Sequence, residues 1–579
     1  MHNTEQFIIE RAKNWLADDY DPKTKAQVQD LLNENSTELT DSFYRDLEFG
    51  TGGLRGIMGV GTNRMNKYTV GIATQGLANY MIKMFGSKKE ISMAIAYDSR
   101  KNNTFFANIT ADVMSANGIR VFLFDALRPT PELSFAIRHL KCQAGVVITA
   151  SHNPPEYNGY KAYWEDGGQL ISPHDTNVIE EVHKIQHIHE VNFERNENLV
   201  SIIGDEIDKE YLQSISSLSL SRVLIQKHKQ MKIVYTPIHG TGVKLVPDAL
   251  RTFGFSNVFN VPEQDVPDGN FPTVKSPNPE EPAALEMAIK RAQEIGADLV
   301  MATDPDGDRV GIAVKDDKNE FVLLNGNETA TLLIYYLLNV WKNSGKITGS
   351  EYIVKTIVTT EILKEMAIRF GVGCFDTLTG FKYIAEKIRE LEGVKQFIGG
   401  GEESYGYLVG DFVRDKDAVI SCCMIAEASA WALEQGKTLY TLLPEIYLEF
   451  GFYKEKLISV VKKGKQGAEE IQQMMDDFRN NPPKTINGSE LILVKDYLQQ
   501  KETDMVTQQA KKIQMPKSNV LQFFLRDHSK ISVRPSGTEP KIKFYFGVMD
   551  KLNRMEDFNL ISNKLDQKIV QIIADMNLK

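Results

Sequence analysis

Ser151 stands in the run Thr149-Ala150-Ser151-His152-Asn153-Pro154-Pro155, directly after an apolar stretch from Gly145 to Ile148. Such a stretch reads as a buried strand, and the carboxyl end of a buried strand is where α/β folds place their chemistry. The expectation is an exposed hydroxyl on a rigid turn whose exit is fixed by two prolines. A Ser-His-Asp triad does not fit, because adjacent residues rarely bond side chain to side chain and the chain has no G-x-S-x-G elbow. Taken alone, the loop reads equally well as a plain Asx or ST turn.

A second loop, Asp304-Pro305-Asp306-Gly307-Asp308-Arg309, follows the apolar run Leu299 to Ala302. Three carboxylates within five residues repel one another unless a cation neutralises them, and hard oxygen ligands in this number suit Mg²⁺. An EF-hand is excluded by register: its sixth position would be Arg309 and its twelfth Lys315. A solvated acidic turn is the alternative. A third loop, Gly399-Gly400-Gly401-Glu402-Glu403-Ser404-Tyr405-Gly406, combines close backbone approach with carboxylates able to accept hydrogen bonds from sugar hydroxyls. A fourth, Arg534-Pro535-Ser536-Gly537-Thr538-Glu539-Pro540-Lys541, gathers one bidentate cation, two hydroxyls and exposed backbone N–H groups, the donors of a phosphate nest. Each of these last two also reads as a structural turn.

The elements that must position these loops follow from periodicity. Gln6 to Leu16 and Lys23 to Leu32 carry helical apolar spacing. Short apolar runs then alternate with amphipathic stretches: Ser92 to Tyr97, Gly118 to Phe124, Ala144 to Thr149, Met231 to Tyr235, Asp298 to Ala302 and Tyr352 to Val358 as strands, with Phe105 to Asn117 and Pro282 to Glu294 as helices between them. That alternation is the pattern of α/β layers. Asp265 to Pro282 reads as a long loop, and the turn-rich Lys315 to Glu320 and the region near Gly451 read as boundaries.

Composition narrows the function classes. A chain of 579 residues with 42% hydrophobic and 25% charged content is a multi-domain globular protein. Its formal net charge of −10 argues against nucleic acid as a partner, though a small anion needs only a local basic cleft. The four cysteines, Cys142, Cys374, Cys422 and Cys423, form no CxxC pair and suit a reducing compartment. The start Met1-His2-Asn3-Thr4 lacks the build of a secretory leader, and the longest apolar run, near Leu332 to Val340, falls short of the roughly 20 residues of a membrane span. The expected setting is the cytoplasm, with no membrane contact.

Together and in this order, the four loops resemble those of the α-D-phosphohexomutase superfamily, most closely its longer phosphoglucomutase and phosphopentomutase-type branch. Thr149 to Lys161 resembles the phosphoserine loop, Asp304 to Arg309 the metal loop, Glu402 to Gly406 the sugar loop and Arg534 to Lys541 the phosphate loop. Thr51 to Gly56 and Thr379 to Lys382 resemble two further segments that reach the active site. The resemblance implies an α/β protein of four domains around a central cleft, three related α/β units and a smaller α+β unit. The expected divisions are 1–203, 204–318, 319–452 and 453–579, each carrying one loop in the order given.

It further implies a reaction: glucose 1-phosphate and glucose 6-phosphate interconverted through phosphoserine, with glucose 1,6-bisphosphate as both intermediate and activator. Ser151 would carry the phosphoryl group, Lys161 would serve as second cation or general acid/base, and His152 would support the serine loop. Mg²⁺ would be held by Asp304, Asp306, Asp308 and the phosphorylated Ser151. Substrate would meet Arg55, Arg309, Lys382, Glu402 and Ser404, with its distal phosphate on Arg534, Ser536, Gly537 and Thr538. Small sugar phosphates are the implied partners, and oligomeric state stays open. Phosphopentomutase activity or glucose 1,6-bisphosphate synthesis are alternatives within the branch. Outside it, Asp304-x-Asp306-Gly307 also resembles the nucleophile motif of haloacid-dehalogenase-type aspartyl-phosphate phosphatases, although Asp308 stands where that motif has Thr. A regulatory relative that binds without turnover would have lost the serine or a metal carboxylate, and here all are present.

Overall fold

The computed structural model describes residues 2–34, 37–48, 53–88, 90–462, 464–536 and 541–578. Gly537 and Thr538, expected at the distal phosphate, lie outside the described residues. The chain is organised around four sheets. The first has the spatial order Gly53–Ile57, Tyr157–Trp164, Ala144–Ile148, Ser92–Tyr97, Arg120–Phe124, Val200–Ile203. Its central strands Ser92–Tyr97 and Ala144–Ile148 run parallel and are buried at every residue. Helices cover both faces, which is why these strands are continuous apolar runs and do not alternate. Ala94 and Ala96 face the helix Thr130–His139 through Leu133, Ala136 and Ile137. Met93 and Ile95 point the other way, into a core with Phe106 and Ile109 of the helix Asn103–Ala116.

The second sheet has the order Phe321–Leu324, Val310–Lys315, Leu299–Thr303, Ile233–Thr236, Val258–Asn260, and the third Gly373–Thr377, Glu351–Thr356, Gln396–Gly401, Tyr407–Val409. The turn-rich Lys315 to Glu320, read as a boundary between the second and third units, closes a hairpin of the second sheet in which Lys315 pairs with Phe321. Turn composition marks a change of direction equally well within a sheet and between domains. The fourth sheet is antiparallel, from Phe452–Val461 through Lys541–Asp550, Lys530–Pro535 and Leu521–Leu525 to Ser489–Asp496, Lys501–Asp504 and Ala510–Lys512. The helices Gly464–Asn480 and Phe558–Asp575 pack against it.

Three of the four loops leave the carboxyl ends of central strands: residues 149–155 after Ala144–Ile148, 304–309 after Leu299–Thr303, and 402–406 after Gln396–Gly401. The fourth leaves Lys530–Pro535 at the edge of a single cleft. Among the described residues no helix is long and apolar enough to cross a membrane.

Candidate active site

Ser151 adopts a left-handed backbone, φ 52°, which is costly for a residue with a Cβ and persists only where surroundings over-determine it. Its N–H donates to Thr149 Oγ1 at 2.8 Å, and its carbonyl accepts from Arg100 Nη2 at 2.5 Å. The same guanidinium donates to the carbonyls of Pro154 at 2.9 Å and Tyr157 at 3.1 Å, and to that of Asn153. One buried cation thus grips the loop at four points, while Asp98 accepts from Thr149 Oγ1 at 2.6 Å behind it. The expected exposed hydroxyl is in fact only 3% exposed as a residue. The metal loop covers it: Ser151 Oγ donates to Asp304 Oδ2 at 2.8 Å and lies 3.2 Å from His152 Nδ1. Burial, followed by the charges of Arg309 and Arg55, holds the His152 imidazole well below its ordinary range, so it is neutral near pH 7.

The metal loop is fixed from three sides. Thr130 N–H donates to Asp306 O at 2.8 Å, Thr241 N–H to Pro305 O at 2.9 Å, and Ala418 N–H to Gly307 O at 3.2 Å. Gly307 has φ 65°, and a Cβ there would lie 2.8 Å from Pro129 Cβ, so only glycine allows this approach. Asp304, Asp306 and Asp308 are buried, and one oxygen from each lies within 4.8 Å of the others. Burial and the charges of Asp306 and Asp308 push the Asp304 carboxyl well above its ordinary range. Burial also opposes ionisation of Asp306, but the Lys161 ammonium, 2.7 Å from its Oδ2, outweighs it and holds that carboxyl low. Asp306 Oδ1 and Asp308 Oδ1 are buried with no hydrogen-bond partner. Crowded carboxylates with orphaned oxygens, next to a serine hydroxyl, form the hard-oxygen donor set that a small divalent cation requires.

Two lysines balance this charge. Lys161 reaches Asp306 and, at 3.3 Å, Asp308; Lys416 reaches Asp308 Oδ2 at 3.1 Å and Asp415 Oδ1 at 3.2 Å. Burial opposes the charge on each, yet the facing carboxylates raise both ammonium groups above their ordinary range. Lys416 went unremarked in the sequence because Arg414-Asp415-Lys416-Asp417 reads as a solvated charge run. The fold buries that run against the first unit, with Tyr163 Oη donating to Asp415 Oδ2 at 2.7 Å and Arg414 N–H to Ser134 Oγ at 2.8 Å.

All of this faces one cavity of about 880 Å³. Its lining brings together Arg55, Ser151, His152, Lys161, Asp308, Arg309, Lys382, Glu402, Ser404, Arg534 and Ser536 from all four sheets' loops. Asp304 and Asp306 lie just behind Ser151 and Asp308 and do not line it. Glu402 accepts from Gly380 N–H at 2.8 Å, which ties the sugar loop to the Thr379–Lys382 segment. Arg309 donates from Nη1 to Glu280 at 2.6 Å, a partner that no local pattern announces. Glu280, Asn278, Lys416 and Lys543 all line the cavity and were missed, while Lys541, which also lines it, closed the fourth loop without an assigned role. A local signal for Lys541 and Lys543 existed, since they alternate on the strand Lys541–Asp550 and so share one face. Chemically, the cleft offers a serine hydroxyl beside three carboxylates that could hold a divalent cation, together with the cations Arg534, Lys541 and Lys543.

Known proteins resemble this chain in sequence and fold. Residues 46–189, 209–318 and 325–450 match the families described as phosphoglucomutase/phosphomannomutase, alpha/beta/alpha domains I, II and III. The chain is 37% identical over 520 residues to a phosphoglucomutase of Staphylococcus haemolyticus, covering 89% of this chain and 93% of that one. It is 35% identical over 561 residues to a phosphoglucomutase of Staphylococcus epidermidis, covering 96% and 99%. Among solved structures, the open form of the Paramecium phosphoglucomutase parafusin aligns with a TM-score of 0.67 at 19% identity, covering 91% of this chain and 95% of that one. A phosphoglucomutase/phosphomannomutase family protein of Burkholderia thailandensis aligns with a TM-score of 0.65 at 17% identity, covering 91% and 97%. At such identities the structures speak for the fold alone, but the family matches and the curated relatives go further: the chain belongs to the phosphoglucomutase/phosphomannomutase family of the α-D-phosphohexomutase superfamily.

Proposed function

We propose that the chain is a phosphoglucomutase that interconverts glucose 1-phosphate and glucose 6-phosphate through a phosphorylated Ser151 and a glucose 1,6-bisphosphate intermediate, which also serves as activator. The observation that carries this is the 2.8 Å contact of Ser151 Oγ with Asp304 beside a cavity that Arg534, Ser536, Lys541 and Lys543 also line. A sugar carrying two phosphates needs both groups. The Staphylococcus relatives named phosphoglucomutase support the same substrate.

Asp304, Asp306, Asp308 and the phosphorylated Ser151 would hold Mg²⁺. When bound, it supplies neutralisation of the charge that builds on the transferring phosphoryl group. The protein's own residues do the rest. Arg100 and Thr149 hold the serine loop so that Oγ meets the incoming sugar hydroxyl at a fixed angle. As the hydroxyl attacks the phosphorus, its bond to Ser151 Oγ breaks, and the proton the hydroxyl loses must be matched by one returned to Oγ. Lys161 or Lys416, each an ammonium group beside the carboxylates, gives a proton to Oγ as that bond breaks, and the neutral amine so formed takes up the proton the sugar hydroxyl loses, with neutral His152 supporting Oγ from 3.2 Å. Glu402, Ser404 and Lys382 hold the sugar, Arg55 and Arg309 the phosphoryl end, and Arg534, Ser536, Gly537 and Thr538 the distal phosphate. The bisphosphate then turns over and returns its other phosphate to Ser151. The enzyme works in the cytoplasm on free sugar phosphates, with units divided near 203, 318 and 452 apart from the hairpin noted above.

Intact-mass measurement after incubation with glucose 1,6-bisphosphate tests the central step. Wild-type protein gains one acid-stable phosphate that maps to Ser151, and Ser151→Ala gains none and loses turnover of glucose 1-phosphate. A label that maps to Asp304 and is released by hydroxylamine would instead assign the aspartyl-phosphate chemistry.

A further inference from the structure

Glu280 belongs to none of the four loops, yet it sits between them. It lies in Pro277-Asn278-Pro279-Glu280-Glu281-Pro282, where three prolines restrict the backbone and the next residue begins the approach to the helix Pro282–Ile295. Pro279 is pressed onto the second sheet: a Cβ at Gly311 would lie 2.2 Å from its carbonyl oxygen. Glu280 N–H is held by Asn278 Oδ1 at 3.2 Å. The carboxylate is therefore set rigidly, and it lines the cavity within electrostatic reach of Tyr405 on the sugar loop and Lys543 on the fourth sheet. Among the described residues its carboxylate accepts from Arg309 Nη1, at 2.6 Å, with the Arg309 and Glu280 side chains 19% and 28% exposed. Arg309 Nε is buried without a hydrogen-bond partner, and its nearest carboxylate, Asp308 Oδ1, is 3.8 Å away.

A guanidinium grips phosphate best through two parallel N–H groups. Glu280 occupies one of the available nitrogens and places a negative charge beside the site where the phosphoryl group must sit. A mutase gains nothing from holding its bisphosphate as tightly as it can, because the intermediate has to detach and dock again the other way round. Binding spent equally on every bound state does not speed the chemistry.

We propose that Glu280 is a positioning residue that competes with phosphate for Arg309 and so keeps the phosphoryl end of the site weak enough for the bisphosphate to turn over. This rests on the phosphoglucomutase assignment for its purpose but not for its measurement. The probe is inorganic phosphate, titrated calorimetrically into dephosphorylated protein at fixed magnesium, in an Arg534→Ala background that silences the distal loop. Glu280→Gln binds phosphate about two- to fivefold tighter than its parent, the range expected for a partly exposed ion pair. In an Arg309→Gln background the same change has no effect. With the distal loop intact, Glu280→Gln also releases glucose 1,6-bisphosphate more slowly, so kcat falls while KM falls with it. Unchanged or weaker phosphate binding in Glu280→Gln would overturn the proposal, as would a gain that survives loss of Arg309. Phosphate binding is read whether or not glucose phosphates are turned over, so a wild-type protein inactive on them would refute the assignment and leave this result separate.

Discussion

Replacing Arg100 by alanine tests whether the serine loop is held by a single buried cation. The side chain donates to the carbonyls of Ser151, Asn153, Pro154 and Tyr157, and its Nε lies 3.6 Å from Asp98, both groups being fully buried. Phe271, from the long loop of the second unit, covers the guanidinium face at 5.1 Å. That loop presses close, since a Cβ at Gly269 would lie 2.4 Å from Lys101 N. Removal of Arg100 takes a donor from four carbonyls, of which Pro154 keeps Tyr157 N–H at 3.1 Å, and leaves Asp98 without its counter-charge. Breaking a buried pair by deleting one partner costs about 3–5 kcal/mol, and unsatisfied carbonyls add to that, so a loss of about 4 kcal/mol is a floor. The kinetic consequence follows from Ser151: its left-handed backbone costs of order 1–3 kcal/mol and relaxes once the grip is gone. A displacement of about 1 Å at the reacting hydroxyl lowers kcat roughly a hundredfold. KM for glucose 1-phosphate stays within about threefold, because Arg100 does not line the cavity. Arg100→Lys does not rescue, as one ammonium cannot span four carbonyls. Urea denaturation and steady-state kinetics read the two effects. A folded Arg100→Ala protein with kcat within threefold of wild type, or with the whole defect in KM, would refute the clamp.

Three other outcomes follow from the same geometry. Asp306→Asn removes the carboxylate we propose as a metal ligand, which also neutralises Lys161, and turnover drops at least about a hundredfold while the magnesium needed for half-maximal activity rises; unchanged metal dependence on assay would exclude the ligand role. Lys416→Met keeps the length of the side chain but removes the charge facing Asp308 and Asp415, and kcat falls about 10²–10⁴-fold with intact-mass phosphorylation of Ser151 still detectable; a loss under tenfold would assign the proton to Lys161 alone. Asp98 is pushed up to about 6 by burial, partly offset by Arg100. A group whose folded value lies above its unfolded one contributes stability below about pH 4 that is lost as pH rises through about 6. Asp98→Asn accordingly gains on wild type between those limits, by on the order of 2 kcal/mol, in urea midpoints measured across pH; a constant difference would show that Asp98 does not titrate there.

The sequence by itself determined the chemistry-bearing loops and the class of fold that carries them. Strand-then-loop order was legible because a strand buried on both faces, such as Ala144–Ile148, must be a continuous apolar run, and a loop that binds an anion or a cation must spend its residues on carboxylates, hydroxyls, arginine and glycine. The carboxylate triad was legible for the same reason, as three carboxylates within five residues repel one another unless a cation neutralises them. Tertiary structure alone decided the rest. Ser151 is covered because the metal loop of a different unit closes over it, 153 residues away in sequence, and no local pattern records that. Arg100 and Lys416 carried no mark in the sequence because burial of a charge depends on what is brought opposite it: four loop carbonyls for one, Asp308 and Asp415 for the other. Glu280 is the clearest case. A glutamate after a proline in a long loop carries no sign of its partner, and only the docking of that loop against the strand Val310–Lys315 sets its carboxylate 2.6 Å from Arg309. Local composition fixes what a loop can bind, while the distances that tune binding belong to residues far apart in the chain, and those are set only when the sheets pack.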